Sequence, residues 1–361
     1  MKASEAAVLA VACLLLAGCG SKGPGTARTA PAPTASGAAV SSGGSVFSRP
    51  LSNPAVTVTG GQLYVAWQVN RASARVPRFE LARADQATGA IEATRRLPAG
   101  YLGTPLAAGR WLWVTTTTPA GEQLLRMNPA DLAVTGDIDI GSRFYAWDGG
   151  GDLAAAGGAL WLASGRRLLR VSLRTGQVIA VVPLAGADTS GVGASADGSV
   201  LVVGEAHEGV GAVQRRDPVT GALVASHPMF GVVAPRIGGV IGSGVWVAEP
   251  TGMMGYIERF SATTMAPDPA TDVGGSNGIN VRIADGVAWV TEQVSSRHDY
   301  CADPVTGRIL AHIPLPHPDR DYVSAIAGRD VYYLEPTPGG TGFYLRRLGV
   351  PARCRAPAVT G

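Results

Sequence analysis

Four glutamates recur at one spacing in the second half of this chain. Glu205, Glu249, Glu292 and Glu335 follow one another at intervals of about 44 residues. Carboxylates at one repeat position occupy equivalent places in successive structural units, so four neighbours form an arc. An arc of this kind suits a divalent cation or an amine, and beside a base it suits acid–base chemistry. Two histidines accompany it. His207 follows Glu205 by two residues, a spacing that puts both side chains on one face of a strand. His298 lies in the matching segment after Glu292. The competing reading is structural: each Glu pairs with its own Arg or caps a loop. Carboxylates brought close raise each other's pKa unless a cation or an Arg compensates. No His/Cys cluster has zinc spacing. Gly274-Gly275-Ser276-Asn277-Gly278 matches the nucleophile-elbow pattern. That motif needs a strand before it and a helix after it. Here the strand-like run Ile279 to Ile283 follows, so the segment is read as a loop feeding a strand and a hydrolase is rejected.

The element that positions the glutamates is a repeat. A Gly-rich turn, an apolar strand, an Arg, a token of the form Asp-Pro-x-Thr-Gly and a strand ending in Pro-Leu recur along the chain. The token starts at Asp85, Asn128, Ser172, Asp217, Ser261 and Asp303. Its residues are turn chemistry: Asp bonds its own backbone, Pro presets φ, and Gly supplies a positive φ. The strand before it carries Tyr64, Trp113, Trp161, Val202, Trp246, Trp289 and Tyr332, which makes seven copies. The glutamates stand three residues after this position, where the first three copies have Trp67, Thr116 and Ser164. Each copy holds four short apolar runs and no helical-period stretch. A period near 44 residues with four strands predicts an all-β fold, a seven-bladed β-propeller of four-stranded blades over residues 45–349. The arc of four carboxylates would then span about 150° of the ring.

Closure is also legible. Val46-Phe47-Ser48-Arg49-Pro50-Leu51 carries the outer-strand token but precedes the first copy, while the last copy stops after its third strand, Phe343 to Leu348. The N-terminal strand is therefore expected to complete the last blade and remove the open edge of a linear array. An Arg column runs two residues before the turn token, at Arg83, Arg126, Arg170, Arg215 and Arg259, with Arg346 as the seventh-blade counterpart. Its expected role is structural, with each stem packed on a neighbour and each head bonded to backbone or carboxylate. Cys301 fills the one gap in the column, and Cys354 follows the third strand of the next blade, so the two are expected to form a disulfide in an oxidising compartment.

The N-terminus sets that compartment. Lys2, an apolar run from Ala6 to Leu16 and Leu16-Ala17-Gly18-Cys19 have the layout of a secretory signal, residues 1–18, too short to span a bilayer. Leu-Ala-Gly-Cys resembles the bacterial lipobox, in which the Cys, here Cys19, is acylated. Glu5 departs from a basic leader. Residues 19–44 are almost entirely Gly, Ser, Thr, Ala and Pro, a flexible tether with a reach of ~25–30 Å. A short stretch, 350–361, trails the propeller. The expected location is extracytoplasmic, anchored to the cell membrane by lipid, and the expected state is a monomer. The net charge is +3, Lys occurs only at positions 2 and 22, and no block of like charge exists, so no nucleic-acid partner is expected.

Asp285-Gly286-Val287-Ala288-Trp289-Val290-Thr291-Glu292 resembles the Asp-Gly-x-x-Trp-Phe-Thr-Glu repeat of virginiamycin B lyase-like propellers. The Asp-Pro-x-Thr-Gly-x-Val token is similar to that of YVTN-type surface propellers. The likeness spans nearly all of 45–349 and rests on repeat motifs, which specify fold before function. The lyase linearises a cyclic depsipeptide antibiotic with magnesium-holding Glu and a general-base His. By resemblance Glu205, Glu249, Glu292, Glu335, His207 and His298 are the candidates for those roles, without a one-to-one match to the lyase motif. Two functions are therefore expected. The first is a non-catalytic tethered propeller that binds a cell-envelope protein, a glycan or a small ligand. The alternative is a metal-dependent lyase using a divalent cation.

Overall fold

The second strand of every repeat has an apolar centre, and burial on both faces explains why. In the computed structural model the repeats fold as seven antiparallel sheets arranged as the blades of a propeller, and each second strand is sandwiched between two neighbouring blades. The structure describes residues 46–355, except 48–49, 71–75, 87, 119–120, 141–152, 185–187, 208–209, 231–234, 252–253, 269–272, 277–279, 285, 292–298, 317–321 and 341. Cys19, the signal sequence and the tether lie outside the described residues.

The inner strands are Ser52–Thr59, Tyr101–Leu102 with Leu106–Ala108, Leu153–Ala156, Asp188–Ala194, Arg236–Ile241, Asn280–Ala284 and Tyr322–Ala327. The second strands are Gln62–Gln68, Trp111–Thr118, Ala159–Ser164, Leu201–His207, Gly244–Thr251, Val287–Thr291 and Asp330–Pro336. In blade two the inner strand comes in two pieces interrupted around Pro105, which has no N–H to give to a ladder. Gly274 to Ser276, expected to be a loop, is part of Val273–Ser276, the outer strand of blade five; no helix follows, and the next described strand is Asn280–Ala284.

The core is a set of slabs between blades rather than one central mass. Tyr64, Ala66 and Leu81 of blade one pack on Leu112, Val114 and Leu125 of blade two. Equivalent clusters fill each of the other six interfaces round to blades seven and one. Period-two alternation sends Tyr64 toward blade two and Leu63 and Val65 toward blade seven. The aromatic column thus faces the following blade every time, and each of its members is buried.

The turn token has one conformation throughout. Its fifth residue has a positive φ in all six copies: Gly89, Leu132, Gly176, Gly221, Met265 and Gly307, with Leu132 and Met265 the two non-glycines of that kind. In each copy the fifth N–H donates to the first C=O at 2.8 Å. A register shift falls just before the token in blades one to four and six, so the left-handed residue and the extra residue form one bulged turn.

Closure occurs as expected. The Val46 N–H donates to the Leu345 C=O at 2.9 Å, and Leu51 exchanges both backbone bonds with Phe343 at 2.7 and 2.8 Å. Phe47 and Leu51 are buried in the slab shared by blades seven and one. The Cys301–Cys354 disulfide is present, with a Cα–Cα distance of 5.7 Å. It pins a short 3-10 turn, Ala352–Cys354, against blade six, so the chain remains packed beyond the last strand.

Candidate functional site

Three sets of polar side chains compete for a functional role: the Arg column, the Glu column and the wall of the axial channel. The Arg column stands directly opposite the aromatic column, pairing Tyr64 with Arg83, Trp113 with Arg126, Trp161 with Arg170, Val202 with Arg215 and Trp246 with Arg259. In blade seven the register pairs Tyr332 with Arg347, not with the expected Arg346. That blade has no turn token from which to count back, and the one-residue difference puts the two arginines on opposite faces.

The two columns together stitch each blade to the next. Arg83 Nη1 donates to the Pro129 C=O at 2.7 Å, Arg126 Nη1 to Thr175 at 2.8 Å and Arg215 Nη1 to Thr263 at 3.1 Å. Where the Arg turns elsewhere, the aromatic takes over. Trp161 Nε1 donates to Pro218 at 3.1 Å, Trp246 Nε1 to Pro304 at 2.9 Å and Tyr332 Oη to Gln86 at 2.7 Å. Every acceptor is a carbonyl in the turn token of the following blade. Burial first, then the Asp330 charge, pushes the Tyr332 phenol up to about 12, so it stays a donor. Blade six lacks such a donor to its neighbour: Trp289 Nε1 bonds Ala284 within its own blade, and the Cys301–Cys354 bond provides the link instead. The remaining arginines are also engaged. Arg170 bonds Gly157, Arg259 pairs with Asp268, and Arg347 pairs with Asp330 at 2.7 Å. The Arg column is a fastening system.

The Glu column sits on the second strands, one strand out from the channel. Glu205 pairs with Ala212 and Glu249 with Tyr256 in the ladders, equivalent to Glu335 with Tyr344. The side chains of Glu205, His207 and Glu249, and residues Glu292 and His298, lie outside the described residues. Glu335 is described: Arg346 Nε donates to its Oε2 at 2.5 Å, and Arg346 also lies over the Tyr344 ring, with Cζ 5.0 Å from its centroid. The residues that precede it in the column, Trp67, Thr116 and Ser164, are buried. Among the described residues no three His, Cys, Asp or Glu side chains converge.

The axial channel is a concavity enclosed by the inner strands. Its cavity of about 290 Å³ is walled by inner strands of six blades, with Thr57, Thr59, Leu153, Ile237, Val281 and Ala325 among the residues that line it. Two arginines join them, Arg236 from blade five and Arg282 from blade six, and among the described lining residues none is acidic. Arg282 Nη1 donates to the Ser324 C=O of blade seven at 2.5 Å and to the Val56 C=O of blade one at 3.4 Å. The channel leaves Arg282 intermediate accessibility, yet the surrounding blades desolvate it and lower its pKa. Sequence reasoning overlooked this residue. The signal lies in register: the inner-strand residues opposite the aromatic column are Thr57, Leu106, Ala154, Gly193, Gly239, Arg282 and Ala325. One charged residue stands in a ring of small or apolar ones.

The fold is similar to two solved propeller structures. BamB from Moraxella catarrhalis aligns with a TM-score of 0.53 and 11% identity, covering 81% of this chain and 84% of that one. The Pan2 WD40 domain of Neurospora crassa aligns with a TM-score of 0.58 and 12% identity, covering 85% and 91%. No family model matches the chain, and no curated protein matches it in sequence. At such identities the likeness concerns fold, and function has to be argued from the site.

Proposed function

We propose that the protein is a membrane-tethered, extracytoplasmic propeller that binds a ligand or an envelope partner without transforming it. The observation that carries this reading is the division of labour among polar groups. The described arginines of the column and Glu335 serve the ring itself, while Arg282 lines an axial cavity walled by inner strands. A closed ring with an open axial cavity suits recognition, and binding sites of other folds are likewise concave and largely preformed. The lipobox at Leu16 to Cys19 and the polar tether after it support anchoring close to the membrane. The candidate partners are an envelope protein, a glycan or a small ligand.

Growing cells with labelled palmitate tests the tether. Label and membrane association in wild type, both lost in Cys19→Ala, are the expected result. Equal label in both, or a wild-type chain found only in the soluble fraction, overturns it.

A second reading, a magnesium-dependent lyase, is favoured by the shared register of Glu205, Glu249 and Glu335 in their blades. Calorimetric titration with magnesium separates the two. Saturable binding that Glu249→Gln/Glu292→Gln abolishes would favour the lyase, and no binding would favour the binding module.

A further inference from the structure

The geometry points to a carboxylate-binding site in the axial channel, built on the Nε/Nη2 edge of Arg282. This rests on reading the propeller as a binding module. Arg282 breaks the repeat at its register, where the other blades carry Gly193, Gly239, Ala154 and Ala325. The Nη1 donor is held by carbonyls of blades seven and one, which fixes the plane of the guanidinium. Nε and Nη2 donate to no described residue. These are the two nitrogens whose N–H bonds run parallel along one side of the fork, the geometry that matches the two oxygens of a carboxylate.

Electrostatics agree. A desolvated guanidinium without a counter-ion is costly, and its cost falls when an anion enters. Arg282 itself has no acidic side chain among its described partners, and burial in low-dielectric walls strengthens its pull on an entering anion. Size and polarity narrow the class. A cavity of about 290 Å³ holds an acid of roughly ten non-hydrogen atoms, taking about 30 Å³ for each. Leu153, Ile237, Val281 and Ile283 suit a short hydrocarbon body. An apolar wall makes a phosphate dianion costlier to desolvate than a carboxylate of single charge. The carboxylate has two sources, a free small acid or the C-terminus of a peptide that enters the channel.

Ligand-observed NMR and calorimetry on the full chain in detergent test the site. The probes are sodium benzoate, benzamide, inorganic phosphate, and Gly-Gly-Leu with a free or an amidated C-terminus. Saturable benzoate binding is expected, with benzamide silent and phosphate weaker. Arg282→Gln should weaken benzoate at least tenfold. Arg282→Lys, which keeps the charge and loses the fork, should fall between the two. Competition by the free but not the amidated peptide assigns the carboxylate to a peptide terminus, and no competition assigns it to a small acid. The site is overturned if benzoate fails to bind folded wild type, if phosphate binds more tightly, or if Arg282→Gln and wild type bind benzoate alike. Should benzoate fail while magnesium also fails to bind, the channel assignment falls and the binding-module reading stands. Should a bound acid be recovered chemically altered, the site stands and the non-catalytic reading falls.

Discussion

At the rim, Arg83, Arg126 and Arg215 each donate to a carbonyl of the next blade's turn. At the axis, Arg282 also donates to carbonyls of other blades through Nη1, but it lines an open cavity and its Nε and Nη2 donate to no described residue. The rim arginines recur with the repeat, whereas Arg282 occurs once. A residue that the repeat reproduces serves what every blade needs, which is attachment to its neighbour. A residue that appears in one blade answers to something only one sector of the ring meets. The same contrast distinguishes Cys301, which breaks the Arg column and supplies a different fastening at one interface.

If the rim is a fastening system, damage there should cost stability in proportion to what is unfastened. Removing the N-terminal strand is the most severe case. A chain truncated to Ser52 loses Phe47, Leu51 and the strand pairing with Leu345 and Phe343. Two lost core side chains cost on the order of 5 kcal/mol or more, comparable to the whole stability of many domains. That truncation should aggregate, and one ending at Gly44 should show the wild-type urea midpoint. Equal midpoints for both would contradict closure by this strand.

Gly157→Val comes next. A Cβ at Gly157 would lie 2.0 Å from the Pro218 carbonyl, and Gly157 has φ +54°. Clash and left-handed backbone together should cost about 3 kcal/mol, read as a drop in melting temperature, and should loosen blade three from blade four. Opening the disulfide with Cys301→Ser/Cys354→Ser should cost about 2–4 kcal/mol, measured by denaturant unfolding. Reduction of the wild type should reproduce it. A smaller effect comes from pH. Hydrogen bonds from Ser195 and Ser199 lower Asp197 to about 2, and bonds from Thr220 and Val219 lower Asp217. A carboxyl whose folded pKa is depressed contributes stability that is present above its unfolded value of about 3.9 and lost as pH falls through the folded value. Acid should therefore weaken the fold between about pH 4 and 2, and Asp217→Asn should show a shallower decline by circular dichroism.

The ring could be read from the chain because its signals repeat. The aromatic column, the turn token and the misplaced outer-strand token at Val46 to Leu51 all reflect contacts that recur from blade to blade, and Cys301 stood out against a regular column. Counting failed where the token ran out, at Arg346 and Arg347. The outer strand at Val273–Ser276 was hidden by Gly and Ser, residues with little preference for strands. Arg282 was invisible for a different reason. Its register mates are Thr, Leu, Ala and Gly, with no consensus against which a charge stands out. Only the strand pairing puts them at one level.

The contrast between rim and axis reduces to one paired measurement, the unfolding free energies of Arg126→Met and Arg282→Met beside wild type in a buffer without carboxylates. Arg126→Met should lose about 1–2 kcal/mol with its bond to Thr175. Arg282→Met should be as stable as wild type or more so, because it removes a desolvated charge that has no counter-ion among the described residues. Equal losses in the two variants would make Arg282 one more fastening and leave the channel without a built ligand site.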